Sequence, residues 1–238
     1  MTEKMDRLPV DLAERFSLLA GQSLVLGLLG KILYRYPEQS MLETLLDEDL
    51  YTEIPFAGQH PDVISGLSSL STWFQKGTLR SSEELLEDLR ADYTRLFIGP
   101  GKVLAPPWES VHFGRERLTF QQRTLQVRRW YARFGLQCEK LYNEPDDHVG
   151  LELAFVAHLS SLAAQAVEQG DNETLAKYLD AQRAFLSEHL LTWAATWCAQ
   201  VLRESRTDFY RGIALIVRGV LAELAGTLGI EGVESVTV

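Results

Sequence analysis

A short segment of the sequence, NEPDDHVGLE at residues 143–152, concentrates carboxylates around one histidine. On a helix, His148 and Glu152 are four residues apart and share a face. Together with Asp147 they form a set of side chains that could ligate a metal ion. A catalytic metal needs three or more convergent ligands, and the other four histidines are scattered along the chain. We therefore expect no metal site and no catalytic residue, and keep a metal- or nucleotide-dependent enzyme using Asp147 and His148 as the alternative.

The same segment also has the pattern of a helix start. Pro145 followed by Asp146 and Asp147 is typical of the first turn of a helix, where acidic groups interact favourably with the helix dipole. This interpretation leaves His148 unexplained. Two roles remain open for that imidazole, a hydrogen bond to a neighbouring loop or contact with a ligand.

A second unusual segment, FIGPGKVLAPPWES at residues 97–110, is apolar and rich in glycine and proline, whereas ordinary loops are polar. Its Gly-Pro-Gly-Lys run does not match a phosphate-binding loop, because Val103 replaces the required Ser or Thr and Pro100 has no amide to donate. Trp108 follows two prolines that stiffen the backbone. It either pins the loop to the core or forms a binding hot spot.

Composition narrows the class of protein. The 238-residue chain has a net charge of −10 and is 46% hydrophobic, which argues against binding to a nucleic-acid backbone. Cys138 and Cys198 are not in CxxC spacing and predict no disulfide framework. The apolar run at residues 24–29 is far shorter than the ~18 residues of a membrane span and begins late for a signal peptide. We expect a cytoplasmic protein with no stable membrane insertion.

The sequence predicts that helices position these two segments. Apolar residues recur at spacings of three, four and seven, and no stretch alternates as a strand does. The predicted class is all-α, a single multi-helix domain over residues 1–238, with the proline-rich loop between helices and a weak seam at 98–114. The final nine residues are expected to fray. The predicted helices are 11–36, 61–76, 82–97, 115–134, 146–169, 172–189, 191–204 and 208–228.

Taken together, the two segments resemble one family. YTRLFIGPGKVLAPPWESV followed by EPDDHVGLEL is similar to the TorD/DmsD family of cytoplasmic chaperones, also called redox enzyme maturation proteins. The family pattern is L-F-x-G-P, a spacer, P-P-W-x-S-V, and then E-P-x-D-H-x-G. The chain is somewhat longer than typical members.

The resemblance implies an all-helical, non-enzymatic chaperone. Such proteins bind the twin-arginine leader of a molybdopterin oxidoreductase, hold the enzyme until its cofactor is inserted, and prevent premature export. The implied partners are the leader and catalytic subunit of a DMSO-reductase-family molybdoenzyme and components of the twin-arginine translocase. No cofactor is expected; a weak guanine nucleotide or molybdopterin interaction fits the resemblance, but no motif predicts it. The residues carried over as leader-binding are Leu96, Phe97, Gly99, Pro100, Pro107, Trp108, Ser110, Glu144, Asp146, Asp147 and His148.

Such a leader has a basic pair followed by an apolar segment, so the two segments of this chain are expected to bind different parts of it. The rigid loop would supply an apolar wall for a helix-in-groove mode of binding. Glu144, Asp146 and Asp147, with Glu152 as a further candidate, would supply an anionic end for the arginines, and His148 would orient a carboxylate or titrate. A chaperone that contacts the mature client rather than its leader is a further interpretation.

Overall fold

A computed structural model describes residues 10–47, 54–113, 119, 121–138 and 144–231. Within these ranges the protein is all-α, as predicted, and has no β-strand. A π-helical turn, Thr94–Ile98, extends the fourth helix, and a 3-10 turn spans Leu190–Thr192. The ten α-helices are α1 Val10–Tyr34, α2 Gln39–Asp47, α3 Pro61–Gly77, α4 Ser82–Tyr93, α5 Glu109–Phe113, α6 Gln122–Arg133, α7 Val149–Gln169, α8 Asn172–Glu188, α9 Ala194–Glu204 and α10 Asp208–Thr227.

Helix ends follow local capping chemistry. The capping box predicted at the start of α4 is present, with the Ser81 hydroxyl accepting from the Glu84 amide and the Glu84 carboxylate accepting from the Ser81 amide. Helix α7 begins at Val149 rather than at 146 because His148 is its N-cap. Helices α2 and α5 were not predicted. Residues 114–118, 120 and 232–238, which include the expected first turn of the sixth helix and most of the terminal tail, lie outside the described residues.

Glycine allows two pairs of helices to pack with their backbones in close approach. On α1 and α7, a Cβ at Gly30 would lie 2.6 Å from the carbonyl oxygen of Gly150, and a Cβ at Gly150 would lie 2.6 Å from that of Gly30. The same relation holds on α3 and α10 between Gly66 and Gly212, at 2.7 and 2.8 Å. Distances this short require a residue without a side chain. The first pair fixes the segment around His148 against α1.

Helices α1 and α7 are long and apolar enough to cross a membrane by length and composition. In the folded chain, however, 50% of the apolar window of α1 and 67% of that of α7 are buried. The main hydrophobic cluster draws on residues from Val25 in α1 to Leu228 after α10. Both helices therefore have the burial expected of core helices.

A buried carboxylate, Asp92 near the end of α4, joins that helix to the turn between α9 and α10. Its Oδ2 accepts hydrogen bonds from the Ser205 hydroxyl, the Arg206 amide, and the amide and hydroxyl of Thr207, at 2.8–3.1 Å. Its Oδ1 pairs with Arg95 at 2.9 Å. Sequence reasoning missed this residue, because nothing along the chain marks a carboxylate whose partners lie more than 100 residues away.

Candidate functional site

The two unusual segments lie side by side. Trp108 and His148 form an isolated antiparallel bridge. The Glu109 amide donates to the Asp147 carbonyl at 2.9 Å, and the Val149 amide donates to the Pro107 carbonyl at 2.7 Å. The proline-rich loop is thus attached through its backbone to the start of α7. The tertiary fold brings together the residues that the sequence pattern grouped.

Asp147 ties this junction to a third element. Its carboxylate is fully buried; Oδ2 accepts from the Ser110 amide at 2.6 Å and Oδ1 from the Thr124 hydroxyl at 2.8 Å. The proline-rich loop, α6 and the start of α7 therefore converge on one side chain. Both oxygens accept hydrogen bonds from within the protein, so this carboxylate links the three elements.

His148 is a buried structural imidazole. Its Nδ1 accepts the Gly150 amide at 3.0 Å, and its ring makes edge contacts with Tyr34 at 5.3 Å and Trp108 at 5.9 Å between centroids. Burial lowers the pKa of His148 from 6.5 to about 3. Burial therefore favours the neutral ring, and titration of His148 at the site stays a prediction. It caps α7 and holds Trp108 near α1.

Asp146 is already paired within the chain. Its carboxylate is 1% exposed, and a single oxygen accepts from Nε and Nη2 of Arg128 at 2.9 and 2.6 Å. The Tyr131 hydroxyl donates to its carbonyl at 3.0 Å. Neither Asp146 nor Asp147 is an open anionic end for an incoming arginine in this structure, because folding has surrounded each with internal donors.

The carried-over residues of the proline-rich loop are mostly anchors. Leu96, Phe97, Pro107 and Ser110 are buried. Gly99 has a φ of 91°, which favours glycine. The loop is closed by bonds from the Gly99 amide to Thr94, from the Ala105 amide to Leu96, and from the Trp197 indole to Ala105. Pro100 is exposed and Trp108 partly so. The conformation of the loop is therefore fixed by its buried residues and by these hydrogen bonds.

An apolar groove of about 340 Å³ lies beside this junction, between α1, α6 and α7. Glu144 lies next to it: burial, and then the charge and hydrogen bond of Glu144, raise the pKa of Tyr34 at the rim. Of the four predicted carboxylates, Glu144 alone is partly exposed. We call this the α1–α7 groove; it is lined by Tyr34, Arg35, Tyr131, Leu136, Gln137, Cys138, Leu151, Ala154, Phe155 and His158.

Two further buried acids, Glu109 and Glu152, lie near the contact between the proline-rich loop and α7. The sequence analysis did not predict that they are close together. Glu109 pairs with Arg123 and with Nδ1 of His189 at 2.9 Å. Glu152 accepts the Trp193 indole at 3.2 Å, while its Oε1 has no hydrogen-bond partner among the described residues. Burial, followed by the charges of Glu109 and Asp147, raises the pKa of Glu152 well above its usual 4.5. Burial therefore favours the protonated form of Glu152.

We expect Glu152→Gln to stabilise the protein in a pH-dependent way. Because the pKa of Glu152 is higher in the folded chain than in the unfolded one, the wild type loses stability as pH rises above 4.5. The neutral glutamine avoids this cost and keeps an acceptor for Trp193. Thermal unfolding should show a Tm gain on the order of 5 °C at pH 8 that vanishes near pH 4. The exposed Glu87→Gln is the control; an equal gain at both pH values would contradict the assignment.

Comparison of the sequence with known proteins shows which family the chain belongs to. The family described as nitrate reductase delta subunit matches residues 62–199, a range that includes both segments and more than half of the chain. The chain belongs to this family, and the likeness to TorD/DmsD proteins recognised from its motifs is confirmed.

Individual relatives align over most of the chain. The chain is 29% identical to the Tat proofreading chaperone DmsD of Salmonella paratyphi A, over 82% of this chain and 84% of the relative. It is 25% identical to the chaperone protein TorD of Photobacterium profundum, over 77% and 83%. It is 34% identical to the chaperone protein TorD of Vibrio cholerae, over 57% and 60%.

The alternative of a metal- or nucleotide-dependent enzyme finds no support. The proposed ligands Asp147 and His148 use their carboxylate oxygens and Nδ1 in internal hydrogen bonds. Across the described ranges, no three His, Cys, Asp or Glu side chains come together as a metal site would require. The names of the relatives describe chaperones.

Proposed function

We propose that this protein is a cytoplasmic chaperone that binds the twin-arginine leader of a molybdopterin-containing oxidoreductase. It assists folding and cofactor insertion and prevents premature export. One observation carries the proposal: the segments that the family shares are joined by the backbone bridge between Trp108 and His148, and Leu151 of the second segment lines the apolar α1–α7 groove. Its relatives include proteins named Tat proofreading chaperones.

The chemistry of the α1–α7 groove fits a leader peptide. A twin-arginine leader has an apolar segment that tends to helix, and an amphipathic helix binds in an apolar groove. Leu136, Leu151 and Phe155 supply apolar lining, and Glu144 supplies a carboxylate beside it for a bidentate arginine contact. Arg35 shares the lining, so the basic pair is best placed on the Glu144 side.

The finer identity of the partners belongs to the same proposal. The client is the catalytic subunit of a DMSO-reductase-family molybdoenzyme, and components of the twin-arginine translocase are secondary partners. The roles of Asp146, Asp147 and His148 are to hold the start of α7 in place beside the groove, while Glu144 and Trp108 offer surface for direct contact; Pro100 lines a separate groove. This assignment differs from the sequence-based expectation in two respects: Glu144 is the carboxylate that meets the leader, and the buried residues of the proline-rich loop support the site from within the protein.

The decisive experiment is calorimetric titration with the leader of a molybdoenzyme, beside a twin-lysine version of the same peptide. We expect a Kd of about 1 μM, near −8 kcal/mol, weakened roughly tenfold by lysine, which lacks the planar fork. Glu144→Gln should weaken binding by a similar factor, because it removes the partly exposed carboxylate.

Glu87→Gln, an exposed change on α4, is the matched control and should leave the affinity unchanged. If neither peptide binds the folded wild-type protein, the leader is not the ligand. The mature-client interpretation would then be tested with a leader-deleted client: retained binding would support it.

A further inference from the structure

A second groove, of about 480 Å³, has a cationic lining that includes residues of the proline-rich loop. Arg90 comes from α4, Arg95 from the π-helical turn and Lys102 from the loop itself. No carboxylate is among its lining residues, although the chain as a whole carries a net charge of −10. We call this the Arg90–Lys102 groove.

Two of these cations are held in place before any ligand arrives. The Nε of Arg90 donates to the Pro37 carbonyl at 2.9 Å, and its guanidinium lies 5.8 Å from the centre of the Tyr36 ring. Arg95 is fixed by the buried Asp92 carboxylate at 2.9 Å and by the Glu204 carbonyl. Each guanidinium keeps donors that these bonds do not use. Fixed donors lose little entropy on binding.

Lys102 adds a positive charge without an internal counterpart. It is exposed and forms no ion pair with the described part of the chain. Of the other two, Arg95 shares its charge with Asp92, while Arg90 bonds only to a carbonyl. The groove therefore has a surplus of positive charge in a protein that is otherwise acidic.

Two backbone positions of the loop, Gly99 and Pro100, have no amide available to a small phosphate. Phosphate-binding loops cradle the anion with several backbone N–H groups. Here Pro100 has none, and the Gly99 amide is used by the Thr94 carbonyl at 2.7 Å. Tyr36, Pro100 and Leu104 add apolar surface around the cations instead. This combination suits carboxylates carried on a peptide, whose carbon framework can cover that surface.

We propose that the Arg90–Lys102 groove binds an acidic peptide segment of a partner protein. A basic leader is repelled by this groove, which shares no lining residue with the α1–α7 groove. The charge and geometry of this groove are the same whether or not the α1–α7 groove binds a leader.

The test is a calorimetric titration of the full-length protein at 50 mM salt. The probe is a synthetic twelve-residue peptide of alternating Glu and Leu. An otherwise identical peptide of alternating Gln and Leu is the control. We expect the Glu peptide to bind at least ten times more tightly. Lys102→Gln and Arg90→Gln should each weaken it at least fivefold. The exposed lysine of α8 provides the matched control, and Lys177→Gln should leave binding unchanged.

Circular dichroism establishes that each variant is folded, and leader binding by the same variants should be unaffected. Equal binding of the Glu and Gln peptides would overturn the proposal, as would equal losses for Lys102→Gln and Lys177→Gln. Inorganic pyrophosphate is titrated in parallel. If pyrophosphate binds in a Lys102-dependent way and the Glu peptide does not, the groove is a small-anion site and the peptide assignment is wrong.

Discussion

Replacing Asp92 by alanine is expected to lower the free energy of unfolding by about 3–5 kcal/mol, the range for breaking a buried, hydrogen-bonded ion pair. The change leaves Arg95 without its carboxylate and removes the acceptor for four donors on Ser205, Arg206 and Thr207. The turn between α9 and α10 would lose its attachment to α4. Buried donors left unpaired account for much of the expected loss.

Urea unfolding followed by tryptophan fluorescence measures this effect, as a fall in the midpoint of roughly 1–2 M. Asp88→Ala is the matched control, because Asp88 lies on the same helix, is 48% exposed, and pairs only with Arg80 at the surface. That variant should lose less than about 1 kcal/mol. If Asp92→Ala unfolded at the wild-type urea concentration, the hydrogen bonds of Asp92 would contribute nothing to stability.

Replacing Asp147 by alanine is expected to cost about 2–4 kcal/mol of stability and also to weaken leader binding. The Ser110 amide and the Thr124 hydroxyl would both be left without an acceptor in a fully buried position. The proline-rich loop would then be held to α7 by the backbone bridge alone. Because Asp147 also holds the start of α7, whose Leu151 lines the α1–α7 groove, the affinity should fall by about tenfold even though Asp147 does not touch the peptide.

Thr124→Ala separates the two contributions of Asp147, since it removes one hydrogen bond and leaves the carboxylate and the Ser110 contact intact. It should lose about 1 kcal/mol and bind the leader almost normally. Calorimetry below the unfolding transition reads affinity, and urea unfolding reads stability. If Asp147→Ala kept full stability yet lost all binding, Asp147 would be a direct contact and the positioning role would be wrong.

Much of the fold was predictable because helical periodicity is a local property. The stripes of α4 and α10, the capping box at Ser81 and the lack of alternating segments sufficed for an all-α class. Boundaries were less accurate where a side chain decided them. Helix α7 begins three residues later than predicted because the His148 ring, rather than an aspartate, caps it, and an imidazole is an unusual cap.

The sequence alone determined the helical class, the family and the two segments that define the site, since each depends on residue types at fixed spacing along the chain. Only the tertiary structure decided what each polar residue does. Asp146 and Asp147 have the composition of an anionic surface, yet packing against Arg128 and Thr124 turned them into buried anchors. Whether a carboxylate meets solvent or an internal donor depends on contacts between distant parts of the chain, and no local pattern encodes them.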